Sequence, residues 1–251
     1  MKYENVGIVH AEPSETDDIV RTILDDSGID HRLGPIERFL EDPPAVLIAI
    51  GDSAMIDIGK VGTSITAPVI PIHCNLGFRP VPLDDLEHIV QPAHKRISTS
   101  MVEHHVVAVT VDAEQVGSAI MDISLMTAEP ARISEFAIRI DGRVLDTIRA
   151  DGVVLATPAG STGYSAAAGG SVIMPGLPVT TLVPVAPFRT RWSTWIVNPE
   201  TVELQAIRDE GELLLRLDDR QERIVEPHES IRFSVERTIE TLAIDDRANP
   251  Q

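Results

Sequence analysis

Lysine is scarce in this sequence. Its 21 basic residues are 18 Arg and 3 Lys (Lys2, Lys60 and Lys95), set against 39 acidic residues for a formal net charge of -18. No basic stripe is present to neutralise phosphates, which excludes nucleic acid as the expected partner. An acidic, lysine-poor surface suits a cytoplasm near molar salt, where the Debye length falls to about 3 Å and self-repulsion is screened. Halophilic adaptation is the first reading, and an acidic protein of ordinary salt the second. Cysteine is almost missing too. The lone Cys74 excludes an internal disulfide and fits a reducing cytoplasm. The opening MKYENVGIVHAEPSE has no apolar signal core, so a cytoplasmic protein is expected. Charge itself is absent from Gly152 to Phe188, a run of 37 residues. That run is no membrane span, because Pro158, Pro175, Pro178, Pro184 and Pro187 would break any helix through it. Metal-ligand spacing is lacking among the histidines. Glu103-His104-His105 reads as a strand whose adjacent side chains point to opposite faces, hence as a solvated pair.

What is present divides into two halves. From residue 1 to 93, apolar runs alternate with helical spacing. NVGIVH (5–10), a weak stretch at 30–33, AVLIAIGD (45–52) and APVIPIHC (67–74) read as strands. Helices are expected at 13–28, where Gly28 is a stop, and near 36–40, 54–60 and 84–91. This alternation predicts an α/β N-terminal domain with a parallel sheet. From 94 to 251 the sequence turns to short β-branched runs such as HHVVAVTVD, ISEFAIRID and GELLLRLD, with DG turn signals at 141–142 and 151–152. That pattern predicts an all-β C-terminal domain, a sandwich or folded-over sheet.

Two stretches can carry chemistry. In IGDSAM (50–55) a buried strand ends at Gly51-Asp52. The crevice outside the carboxyl ends of parallel strands is where α/β sheets bind ligands. There Ser53 can cap the helix that follows, the helix start attracts phosphate, and Asp52 can accept a hydroxyl proton or hold a metal. Asp52 can equally be a helix cap and nothing more. The second stretch is TPAGSTGYS (157–165), read as a hairpin after the strand VVLA. Thr157, Ser161, Thr162, Tyr164 and Ser165 offer hydroxyls, while Gly160 and Gly163 admit a ligand close to the backbone. Neutral donors suit an anionic ligand, which carboxylates would repel. The competing reading is a buried core hairpin whose hydroxyls satisfy their own turns.

DGVVLATPAGSTGYSAAAGG (151–170) resembles the signature of the NAD kinase family. Further stretches follow in the family's order: AIGDSA (49–54) is similar to its GGDGT loop and IPIHCNLGF (70–78) to its GIN-x-G-x-LGF segment. IMDISL (120–125) stands where an LNE segment is expected, PVAPF (184–188) resembles its PI-x-PH stretch, and LDDRQ (217–221) its DGQ turn. On this resemblance the sequence is identified as a divergent, haloarchaeal member. The resemblance implies a two-domain fold with the active site in the crevice between domains. It implies transfer of a phosphoryl group from ATP or polyphosphate to the adenosine ribose 2′-hydroxyl of NAD, giving NADP, with a divalent cation such as Mg²⁺ or Mn²⁺. It also implies a homodimer or homotetramer.

Carried over residue by residue, Asp52 stands at the family's catalytic aspartate, and Gly51 and Ser53 flank it on the loop that cradles donor phosphates. Phe78 matches an aromatic beside the adenine, and Asp122 the Glu that binds ribose hydroxyls. Arg149 and Asp151 match positions near the nicotinamide, while Ala159, Thr162, Gly163, Tyr164 and Ala167 match the adenine and ribose platform. The departures fall on ligand-facing positions. GGDGT reads Ile50-Gly51-Asp52-Ser53-Ala54, the NE pair reads Met121-Asp122, and Ala159, Phe188 and His73 replace a hydroxyl residue, a His and an Asn. This pattern suits a divergent kinase. It suits equally a relative that binds or senses NAD(P) without phosphorylating it; a kinase of another small alcohol is a third reading.

Overall fold

The computed structural model describes residues 3–61, 66–91, 97–129, 133–189, 192–208, 211–218 and 220–245. The chain forms two compact units, one of Met1–His104 with Ile239–Gln251, the other of His105–Thr238. A division at residue 93 is linear; the first unit also takes in the last strand's distal part.

In the first unit the order is β1 (Asn5–His10), α1 (Glu15–Asp26), β2 (Asp30–Gly34), β3 (Val46–Ile50), α2 (Gly51–Lys60), β4 (Val69–Ile72) and α3 (Leu86–Val90). The strands lie in the order β2-β1-β3-β4, all parallel. The near-continuous apolar runs of β1, β3 and β4 follow from burial on both faces, while the edge strand β2 is more polar and only partly buried. Val6, Ile8, Ile48, Ile70 and Ile72 form one core with Val20 and Leu24 of α1. Burying each of those two helix side chains contributes about 1.5–3 kcal/mol. The Asp17 carboxylate accepts the Ser14 N–H at 2.6 Å and lies 2.9 Å from His10 Nδ1, which ties the first turn of α1 to the end of β1. At the other end Gly28 adopts φ +61, and Ile29 N–H returns to Leu24 O at 2.9 Å. The expected stop is therefore a left-handed glycine cap. Helix α2 starts earlier than its apolar spacing suggests. Its N-cap is Ile50 and no side chain caps it, so Ser53 lies inside the first turn and is not the cap.

The chain enters the second unit within β5 (Thr99–Val111). It continues through β6 (Glu114–Ala119), β7 (Asp122–Thr127), β8 (Ser134–Ile140), β9 (Arg143–Ala150), β10 (Gly152–Ala156), α4 (Tyr164–Ala167), β11 (Thr180–Val185) and β12 (Trp195–Val197). Then come β13 (Val202–Arg208), β14 (Leu213–Leu217), β15 (Gln221–Val225) and β16 (Ile231–Ile244). One antiparallel sheet runs β12-β11-β10-β7-β14-β15. Its inward residues Ile123, Leu125, Val153, Leu155, Leu182 and Leu215 pack on Phe136, Ile138 and Ile148 of β8 and β9, Leu204 of β13 and Phe233 of β16. Alternation along β7 and β14 turns Asp122, Ser124, Met126 and Arg216 to the opposite face of the sheet. This is the sandwich the short β-branched runs predict. The DG turn at 141–142 has positive φ at both residues, 49° and 74°, as a tight hairpin between β8 and β9 requires.

The histidine pair differs from expectation. His104 is 3% exposed, and its Nε2 lies 2.9 Å from Thr241 Oγ1. In the long strand β5, Val102, His104 and Val106 share the buried face, so His104 is a core residue and the pair is not solvated. Residues His94 and Lys95 lie outside the described residues.

Candidate functional site

In the first unit the site is built at the carboxyl ends of β3 and β4. Gly51 makes the turn from β3 into α2 at φ +81, and nothing lies within 4 Å of where its Cβ would stand. Conformation, not space, reserves that position for glycine. Asp52 follows, half-buried. Its Oδ1 accepts the Asn75 backbone N–H at 2.5 Å. Asn75 is itself held by a local turn in which its Oδ1 accepts the Gly77 N–H at 2.8 Å. The carboxylate thus reaches across to the loop after β4 and does not cap its own helix. His73, at φ 53, bends that loop and lies 3.1 Å from Thr16 Oγ1 at the start of α1. Between them, Cys74 Sγ donates to Ile72 O at 3.4 Å. Burial, then the Asp52 carboxylate, push the Cys74 thiol up to about 12. Phe78 is fully buried, its ring tilted against His104 at 5.4 Å, so it presents no face to solvent. Ser53 is half-buried and Ala54 fully buried.

In the second unit the segment after β10 is a 3-10 turn, Gly160–Thr162, followed by the single turn of α4, and not the hairpin expected. Its hydroxyls divide. Thr157 Oγ1 donates to Ile120 O at 2.5 Å and accepts the Gly160 N–H at 3.3 Å. Ser161 Oγ donates to Pro158 O at 2.8 Å and accepts the Ile173 N–H at 2.9 Å. Both residues are buried, as is Ala159; the Thr157 hydroxyl ties the segment to Ile120, and that of Ser161 closes its turn. Thr162 and Gly163 are half-buried, whereas Tyr164 and Ala167 are exposed. Gly160 is fixed by close approach: a Cβ there would stand 2.1 Å from Met121 O.

Beneath this segment lies a residue the sequence reading did not place in the site. Asp218, 6% exposed, accepts N–H groups from Ile120 at 2.8 Å, Met121 at 2.8 Å and Asp122 at 3.0 Å. It anchors the turn into β7 and thereby the main chain of Asp122. The likeness of LDDRQ to a DGQ turn was the available signal; Asp219 of that stretch lies outside the described residues. On the outer face of the sheet a cavity of about 380 Å³ is lined by Asp122, Ser124, Met126, Thr127, Tyr164 and Arg216. That volume is in the range of small-molecule sites. Burial, then the carboxylates of Asp122 and Asp151, push the Tyr164 hydroxyl above its ordinary value, and Arg216 opposes them. Asp151 bridges main chains: its N–H donates to Val185 O at 3.0 Å, and its O accepts the Thr127 N–H at 2.9 Å. Arg149 is exposed and its guanidinium lies over the Phe188 ring at 5.8 Å. Among the described residues no group of three or more His, Cys, Asp or Glu side chains is arranged to hold a metal ion, and no helix is long and apolar enough to cross a membrane.

The family model of the ATP-NAD kinase C-terminal domain matches residues 121–246, half of the chain. The chain belongs to the NAD kinase family. Among curated relatives, the NAD kinase of Thermoplasma acidophilum is 30% identical over 209 residues, 78% of this chain and 75% of that protein. The NAD kinase of Methanosarcina barkeri is 33% identical over 185 residues, 70% of this chain and 66% of that protein. Two solved structures share the fold. The Archaeoglobus fulgidus NAD kinase in complex with ATP superposes with TM-score 0.72 at 22% identity, covering 96% of this chain and 94% of that one. The yeast NADH kinase complexed with NADH superposes with TM-score 0.75 at 18% identity, covering 97% of this chain and 84% of that one. The NAD kinase fold accounts for both the parallel sheet of the first unit and the antiparallel sandwich of the second.

Proposed function

We propose that this NAD kinase family member phosphorylates the 2′-hydroxyl of the adenosine ribose of NAD, giving NADP, with ATP or polyphosphate as donor. The observation that carries the reading is the Asp52 carboxylate, held at the carboxyl end of β3 by the Asn75 N–H at 2.5 Å. A fixed acceptor at such a crevice is what a general base for a sugar hydroxyl requires. Gly51 and Ser53 beside it line the path of the donor phosphates. In the β unit, Asp122, Thr162, Gly163, Tyr164 and Ala167 take the adenine and ribose, supported from below by Thr157, Ala159 and Ser161. Arg149 and Asp151 attend the nicotinamide end, and Phe78 stiffens the loop that holds Asp52. A divalent cation, Mg²⁺ or Mn²⁺, would come with the donor, held largely by the phosphate oxygens. When bound, the cation would offset charge on the phosphates; Asp52 takes the proton of the ribose hydroxyl. The balanced change is one P–O bond broken in the donor, one formed to the ribose oxygen, and one proton released.

A second reading has its own support. Ser53 and Ala54 stand in the first turn of α2, where a glycine-rich loop would leave more backbone amides to turn toward phosphate. That arrangement suits a protein that binds or senses NAD(P) without turnover. The same proposal includes a cytoplasmic, salt-adapted homodimer or homotetramer; the exposed side chains of Phe188 and Ile196, 69% and 58% accessible, suit a subunit contact. The test is NADP formation in molar KCl with Mg²⁺ or Mn²⁺, with ATP and polyphosphate offered separately. The expected result is NADP formation that falls by about 10²–10⁴-fold in Asp52→Asn while NAD affinity is kept. NAD binding with no NADP from either donor selects the second reading.

A further inference from the structure

The cavity on the outer face of the six-stranded sheet contains a cation that no quoted family motif accounts for. Of its six lining residues two are charged, Asp122 and Arg216. Arg216 comes from β14, where it stands directly opposite Ser124 of β7 and Glu222 of β15. Glu222 Oε2 accepts from its Nε at 2.7 Å, which fixes the guanidinium from the β15 side. A guanidinium offers several N–H donors in a rigid plane, and that shape fits phosphate oxygens. The setting gives the charge a purpose. Residues 152–188, which supply Tyr164, are uncharged, and the whole chain carries a formal net charge of -18. Adenine and ribose, being neutral, need only the hydroxyls and Asp122 of this lining. An anionic part of the ligand needs a cation close by, because the surrounding carboxylates oppose it.

Resting on the dinucleotide reading above, we propose that Arg216 is a specificity-determining residue: it takes a phosphate of the ligand's diphosphate, so that the cavity selects phosphorylated adenine nucleotides over the bare nucleoside. Arg216 touches no reacting atom in this role. It sets affinity for the phosphorylated ligand. The opposing effects of Arg216 and Asp122 on the Tyr164 hydroxyl agree with both charges facing that ring.

The experiment measures binding of NAD, ADP-ribose and adenosine to the full chain and to Arg216→Gln and Arg216→Lys. It uses calorimetry at the lowest salt that preserves the native circular dichroism. The expected result is a ~10- to 100-fold loss for NAD and ADP-ribose in Arg216→Gln, partial recovery in Arg216→Lys, and unchanged adenosine binding. Equal losses for all three ligands would mean that Arg216 only supports the sheet, and would overturn the proposal. So would undiminished NAD binding in Arg216→Gln, with the dinucleotide reading intact. A parent chain that binds none of the three overturns both.

Discussion

Asp122 and Asp218 are locked main chain to side chain and back: Asp218 Oδ1 accepts the Asp122 N–H at 3.0 Å, and the Asp218 N–H donates to Asp122 O at 2.9 Å. The second carboxylate oxygen accepts the Ile120 N–H at 2.8 Å. An amide in place of the carboxylate keeps one acceptor oxygen and turns an N–H₂ toward a backbone donor. Asp218→Asn is therefore expected to destabilise the protein by about 3 kcal/mol. Urea unfolding followed by circular dichroism measures this, and a loss below about 0.5 kcal/mol would mean the clamp is unimportant.

Gly160 tests the packing of the same region. Its added methyl would meet the Met121 carbonyl, which is backbone and cannot rotate away. Gly160→Ala is expected to cost about 1–3 kcal/mol and to weaken NAD binding by moving the turn before Tyr164. Gly176→Ala is a control of a different kind, since that glycine has φ +86 and nothing within 4 Å of its Cβ position. Its cost is conformational strain, with NAD binding unaltered.

Cys74 reports on the charge of Asp52. Its thiol is pushed up to about 12, first by burial and then by that carboxylate. At pH 8 it remains protonated, so iodoacetamide is expected to modify the native chain far more slowly than the unfolded one. Asp52→Asn removes the negative neighbour, lowers the thiol's pKa and speeds native-state alkylation. Mass spectrometry across a pH series reads the shift; alkylation unchanged between the two forms would place the carboxylate away from the sulfur.

Tyr164 reports on the cavity. Burial raises its hydroxyl pKa most, Asp122 and Asp151 add to the rise, and Arg216 lowers it. Asp122→Asn is expected to bring the titration down, and Arg216→Gln to carry it further up. The chain has 2 tyrosines, so ultraviolet titration in a Tyr3→Phe background isolates Tyr164. Opposite shifts in the two variants are the expected outcome, and shifts of one sign would contradict the geometry.

Much of the fold was legible because periodicity and turn residues leave direct marks. NVGIVH coincides with β1, Gly28 ends α1 with positive φ, and the DG turn at 141–142 closes a hairpin. Where burial depends on remote partners, the sequence was mute. His104 reads as a polar residue until Thr241, 137 positions later, supplies its hydrogen bond. The start of α2 was misjudged because Gly51 and Asp52 look like turn residues, and the turn they make is already the first turn of the helix. At the site, the choice of hydroxyls was legible in kind and not in role. Thr157 and Ser161 spend theirs on backbone carbonyls, and no local pattern separates them from Thr162 or Tyr164. Arg216 joins the cavity through strand pairing with β7, a long-range register that one sequence does not reveal.

The return of β16 to the first unit has a consequence for biogenesis. Thr241 pairs with Val69 on the outer side of β4, yet it is made 172 residues later. A nascent chain that has released only its first hundred residues carries β4 as a raw edge, open to the wrong neighbour. Synthesis must reach Thr241 before that flank is sheltered, so termination ahead of β16 leaves a sticky product rather than a small stable domain.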